Sequence, residues 1–150
     1  MSAIADQIQN YIELHLEKLN SIPETEFAHK PMPNKWSKKE ILGHIIDSAM
    51  SNIRRFVVAQ YENEPHIVYN QDKWVAISDY QNYKSSELIQ LFYLIHKHLC
   101  NILKNTPAEM MQRKCRTEDV HTLEWLAEDY LKHLKHHLNQ VLELEPVPYP

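Results

Sequence analysis

Apolar positions recur along this chain at intervals of three and four residues, the spacing that lines one side of an α-helix. The first stripe joins Ile4, Ile8, Tyr11, Ile12, Leu16 and Leu19. The second runs through Ile41, Leu42, Ile45, Ile46, Ala49, Ile53, Phe56 and Val57 towards Tyr61. The third joins Leu88, Leu91, Phe92, Ile95, Leu99, Ile102 and Leu103 and stops before Pro107. The fourth takes in Leu123, Ala127, Tyr130, Leu134, Leu138 and Val141, with its helix reaching Glu143. Four such helices must bury their stripes against one another. They predict an all-α fold, a four-helix bundle in one domain over residues 1–150.

Local chemistry sets the helix starts. Ser37-Lys38-Lys39-Glu40 fits a capping box, in which the serine and the glutamate each satisfy a free backbone N–H of the first turn. Ser85 or Ser86 is the expected cap of the third helix and Thr122 that of the fourth. Between helices one and two, Pro23, Pro31 and Pro33 demand an irregular crossing over Ser21 to Lys35. The connection from Glu62 to Lys84 is long and rich in aromatic residues, with Tyr69, Trp74, Tyr80 and Tyr83. Such a segment is expected to pack over one end of the bundle, with a short helical turn, and either to wall a pocket or to serve as an aromatic plug that only completes the core. Thr106 to His121 reads as a polar connection, and the tail from Glu145 to Pro150 as extended on the surface or frayed. The two long crossings allow an up-down order or one parallel helix pair.

Composition narrows the class. The chain holds one glycine, which suits long helices and argues against a β-rich fold. No apolar run approaches a membrane span, and Met1 to Tyr11 lacks the order of a secretion signal, so a soluble, cytoplasmic protein with no membrane partner is expected. Net charge is −4, and the lysines at 35, 38 and 39 are followed by Glu40 and Asp47, which excludes nucleic acid as an expected partner. Cys100 and Cys115 have no zinc-ribbon spacing. Cys100 is expected to be buried. Cys115, beside Arg113, Lys114 and Arg116, reads as an ordinary reduced loop thiol, with a lowered pKa if exposed.

The histidines carry the candidate chemistry. His133 and His137 are four apart on the last helix, so they share a face and can converge on one divalent ion. His136 points about 100° away from His137, although at three residues from His133 it too could chelate. His44 lies on the flank of the second stripe with Ser48, Ser51 and Arg55, where a bundle helix offers a further ligand. His96 and His98 are two apart and cannot share a face. The plainer alternative makes all of these boundary histidines, satisfied by water or a carboxylate.

The segment Trp36-Ser37-Lys38-Lys39-Glu40-Ile41-Leu42-Gly43-His44-Ile45-Ile46-Asp47 resembles a motif of the DinB-like superfamily. So does Thr122-Leu123-Glu124-Trp125-Leu126, followed by His133 and by His136-His137-Leu138-Asn139-Gln140. The resemblance covers nearly the whole chain. It implies a bundle with a divalent metal on three histidines, here His44, His133 and His137. Three imidazoles with an open position match a catalytic site, with zinc or nickel favoured and iron or manganese also suited. Such a site would activate a bound water or hold a thiolate. Relatives of this family include S-transferases that use bacillithiol, a mycothiol-dependent isomerase and proteins assigned as metal-dependent hydrolases. The resemblance therefore implies a small-molecule substrate, with a low-molecular-weight thiol as one candidate, and a homodimer. No catalytic side chain beyond the ligands is assigned. Asp47 and Asp129 are candidates to orient the imidazoles, with solvated helix-face charge the preferred reading of both. The alternative function is a non-catalytic metal-binding stress-response bundle acting through oligomerisation.

Overall fold

Each of the four stripes becomes a long helix. The structure, a computed structural model, describes residues 1–149. Helix α1 spans Ser2–Asn20, α3 Lys38–Val58, α5 Ser85–Asn105 and α6 Leu123–Leu142; the short helices α2 (Glu24–Phe27) and α4 (Gln71–Ser78) lie in the crossings. The core is drawn from the apolar stripes, with Ile8, Leu42, Ile45, Phe56, Leu99, Tyr130 and Leu134 among its fully buried members. Burying one such side chain contributes about 1.5–3 kcal/mol. Helices α1 and α3 each pack against both α5 and α6, so α1 and α3 stand diagonally across the bundle. The crossing between them must span that diagonal, which explains its length and its prolines. No helix of the described residues is long and apolar enough to cross a membrane.

The N-terminus of α3 forms the capping box. Ser37 Oγ accepts the Glu40 backbone N–H at 3.2 Å, and Glu40 Oε2 accepts the Ser37 N–H at 2.8 Å. Ser37 also donates to the Gln81 side chain, and Lys39, nearly buried, reaches Glu24 and the Tyr83 carbonyl, the latter at 2.7 Å. These contacts clamp both crossings onto the start of the helix that carries His44. Thr122 caps α6 by accepting the Trp125 N–H at 3.2 Å. The expected cap of α5 is corrected. Lys84 occupies the cap position with no side-chain bond, and Ser85 lies inside the helix, donating instead to Glu24. A nearby carboxylate outcompetes the helix for that hydroxyl.

The polar connection holds more order than its sequence shows. Strands β1 (Lys114–Arg116) and β2 (Val120–Thr122) form an antiparallel hairpin. The crossing after α3 docks on it, through Ile67 N–H to Arg116 O and Arg116 N–H to Pro65 O, both 2.9 Å. Three-residue strands are too short to display the period-two pattern by which strands are recognised. Cys115 is buried on β1, and burial pushes its thiol pKa up, so the exposed, activated alternative does not apply. Cys100 is buried as expected.

Candidate metal centre

His44 leaves α3 seven residues after its cap, where the stripe turns towards α6. His133 and His137 face it from α6, one helical turn apart. A single ligand atom from each of the three lies within 4.8 Å of the others. His44 Nε2 and His133 Nε2 are 3.0 Å apart. Two nitrogens bound tetrahedrally to one zinc ion would be about 3.3 Å apart, so this pair already stands near the separation a shared ion requires. His44 and His133 are buried, with exposures of 1% and 8%. Trp36 packs on the His44 ring at 5.1 Å, so the tryptophan that opens the first motif covers the first histidine.

Burial sets the charge state of the cluster. It lowers the His44 pKa to about 3, with His137 adding repulsion. Burial, then its histidine neighbours, holds His133 well below the ordinary range, and burial also lowers His137. Three neutral imidazoles offer lone pairs, which is the form a metal ion takes. The described residues contain three buried side-chain polar atoms without a hydrogen-bond partner: His44 Nδ1, His133 Nδ1 and Asp47 Oδ2. Two belong to the cluster and the third lies one turn beyond His44. Unpaired buried polar atoms are costly and concentrate at functional sites. The donor set and its protonation fit a divalent ion.

His136 points elsewhere and is fully engaged. Its Nδ1 donates to the Val147 carbonyl at 2.6 Å, and its Nε2 accepts from Gln140 Nε2 at 3.2 Å. Gln140 Oε1 in turn accepts from His137 Nδ1 at 2.8 Å. A carbonyl can only accept, so the direction of every bond follows from Val147 onward, and Nε2 is left as the lone-pair nitrogen of His137. The tail expected to be extended or frayed is docked. Asn139 donates to the Glu145 carbonyl at 2.7 Å, and Tyr149 donates to Asp129 at 2.8 Å with its ring 5.3 Å from that of His133.

The preferred reading of Asp47 and Asp129 as solvated charge is corrected. Asp47 is wholly buried and accepts from the Tyr80 hydroxyl. Burial raises its pKa to about 6, against a smaller lowering by Tyr80. Asp129 is half-buried and holds Tyr149. Neither was distinguishable from a surface acid, because the tyrosines that meet them come from distant segments. Because the folded pKa of Asp47 exceeds its unfolded value of 3.8, its contribution is fully present below that value and is lost as pH rises through about 6. In metal-free protein, stability relative to Asp47→Asn is expected to fall by about 2–3 kcal/mol between pH 4 and pH 7. Paired urea melts at each pH measure this difference; a flat difference would refute it.

A cavity of about 580 Å³ opens beside the cluster, lined by Arg55, Tyr69 and Trp125 among others. A smaller one of about 160 Å³ shares Arg55, Tyr69, Asp129 and Tyr149 with it and reaches His133. Tyr69 thus walls the pocket as expected. Trp74 backs it, edge-on at 5.5 Å, without lining either cavity. His96 is no ligand: its Nδ1 donates to the Phe92 carbonyl and its Nε2 accepts from Tyr130, both at 2.6 Å. Tyr130 and Tyr149 are lining residues that sequence reasoning missed, one absorbed in the apolar stripe and the other in the proline-rich tail.

A family model described as the DinB superfamily matches residues 6–141. The chain belongs to this superfamily. Two relatives bear the name "Putative metal-dependent hydrolase". One, from Halalkalibacterium halodurans, is 27% identical over 124 residues, covering 81% of this chain and 72% of its own. The other, from Bacillus cereus, is 27% identical over 143 residues, covering 91% and 82%. YfiT from Bacillus subtilis, described as "a probable metal-dependent hydrolase with an unusual four-helix bundle topology", matches with a TM-score of 0.78 at 21% identity, over 93% of this chain and 84% of its own. That likeness speaks for the fold. This DinB-superfamily member therefore combines a four-helix bundle, relatives named as metal-dependent hydrolases and a three-histidine cluster suited to a metal ion.

Proposed function

We propose that this DinB-superfamily protein is a divalent-metal-dependent enzyme acting on a small molecule, either as a hydrolase or as a thiol S-transferase. The observation that carries the reading is the convergence of His44, His133 and His137, whose pKa values burial lowers, with His133 lining a cavity. These three side chains would hold the ion, zinc or nickel by preference. When bound, the ion would supply Lewis acidity and an activated nucleophile, water or a low-molecular-weight thiol. The chain's own groups do the rest. Tyr69 and Tyr149 wall the approach to His133 and restrict water, and the Gln140–His136–Val147 chain keeps the His137 proton on Nδ1. A cytoplasmic homodimer belongs to the same proposal, by analogy with the family.

The test is metal content by plasma mass spectrometry on tag-free protein, followed by turnover of ester and amide substrates and of thiol–electrophile pairs including bacillithiol. Near-stoichiometric zinc or nickel with turnover that a chelator abolishes supports the enzyme. Tight metal binding without turnover of either substrate set favours the non-catalytic bundle. Failure to bind any of zinc, nickel, iron or manganese after reconstitution overturns both.

A further inference from the structure

Arg55 stands at the junction of the two cavities, three turns beyond His44 on α3. Its Nε and Nη2 donate to the Ile67 carbonyl at 3.2 and 3.1 Å, and its Nη1 donates to Asn52 Oδ1 at 3.3 Å. A guanidinium carries five N–H groups. Three are used here, leaving one N–H on Nη1 and one on Nη2 without a partner among the described residues, donors of the kind that bind a carboxylate. The planar group is thus immobilised by neutral acceptors with two donors to spare.

The guanidinium carbon lies over the Tyr69 ring, 5.9 Å from its centre, but no anion meets its charge. Among the described residues no carboxylate forms an ion pair with Arg55. Asp129, which lines both cavities, takes the Tyr149 hydroxyl instead. Burial works against the Arg55 charge, offset in part by Tyr69, Cys115, Asp129 and Tyr149. A half-buried cation with free donors in a cavity is a place for an anion. The outer cavity, at about 580 Å³, is the size of a small-molecule site. Its rim carries the exposed acids Asp72, Glu118 and Asp119, which repel multiply charged anions more than singly charged ones.

We propose that Arg55 is the carboxylate anchor of the substrate: the small molecule that reaches the histidine cluster carries a carboxylate, which Arg55 holds through paired hydrogen bonds where the cavities meet. The inference rests on the cluster being the reaction centre, and it adds the substrate class. Phosphorylated compounds are the poorer ligands, because the acidic rim opposes a second charge.

The experiment uses the whole chain, metal-free and zinc-loaded, with three probes: N-benzoylglycine, its neutral amide and phenyl phosphate. Binding is followed by NMR through the arginine Nε–H signals, and zinc content is measured on the same samples. N-Benzoylglycine is expected to shift the Arg55 signal and to bind about tenfold or more tightly than either other probe. Arg55→Gln should erase the preference for acid over amide, and Arg55→Lys should keep part of it. Equal binding of acid and amide to the unaltered protein overturns the anchor, and does so whether or not Arg55→Gln folds. A preference lost in His133→Ala and kept in Arg55→Gln places the carboxylate on the histidines and also overturns it. Failure to load zinc with an intact, Arg55-dependent preference counts against the metal reading alone and upholds the anchor.

Discussion

Replacing His44, His133 or His137 with alanine is expected to weaken zinc or nickel binding by roughly a hundredfold or more, whereas His136→Ala costs about tenfold. The difference follows from where the four rings sit. Three of them bring a nitrogen to one place, and each would supply one of few bonds to the ion. His136 supplies none; it acts on His137 through Gln140. Removing it frees Gln140 to rotate, and His137 can then hold its proton on either nitrogen. The wrong tautomer must be corrected on binding, which weakens affinity without abolishing it. His136→Gln is the informative companion. Its amide can donate to the Val147 carbonyl, and should keep the tail docked even where the link to Gln140 is impaired. Competition against a chromogenic chelator measures all five variants. Equal losses in His136→Ala and His137→Ala would refute the division of roles, as would a His44→Ala protein that keeps its metal.

The parts of this molecule that were legible in the sequence are those governed by local periodicity. Ile41 to Val57 and Leu123 to Val141 repeat on a helical period, and their helices run as that pattern requires. The capping box at Ser37 is equally local, since its two partners lie three residues apart. His133 and His137 could be paired because one helix carries both. His44 could be placed on a flank, but its approach to His133 is a matter of packing across 89 positions of sequence. What remained hidden depends on such distant encounters. Tyr80 reaches Asp47 from the far end of the second crossing, and Tyr149 reaches Asp129 from a tail whose prolines suggest only extension. Arg55 looked like one more flank residue because its neutral partner, the Ile67 carbonyl, belongs to a loop that the hairpin positions. The hairpin itself is held by its contacts to that loop rather than by strand propensity.

The second large effect concerns the chain's sole glycine. Gly43→Ala ordinarily stabilises a helix interior by roughly 0.5–1 kcal/mol, because alanine loses less backbone entropy. Here the substitution is expected to destabilise the protein by about 2–4 kcal/mol, lowering the melting temperature by about 10 °C for a chain of this size. A Cβ on Gly43 would overlap the ring of Tyr80, well inside van der Waals contact. The ring cannot step aside cheaply, since Tyr80 is itself buried and its hydroxyl is bound to Asp47 one turn along α3. Moving it strips a hydrogen bond from a carboxylate that already has one oxygen unpaired. Overpacking and the lost bond together outweigh the helix gain. The sign of the effect should therefore depend on the tyrosine. In a Tyr80→Ala background the obstacle is gone, and Gly43→Ala should become neutral or stabilising by roughly 0.5–1 kcal/mol. Thermal melts of the two single variants and the double variant decide the matter. A Gly43→Ala cost that persists without the Tyr80 ring would mean that the glycine serves some other contact. The same variants bear on the metal centre, because Gly43 directly precedes His44. A helix pushed off Tyr80 carries His44 away from His133, so metal affinity should fall with stability in Gly43→Ala. It should be better kept in Gly43→Ala/Tyr80→Ala, where α3 can stay in place.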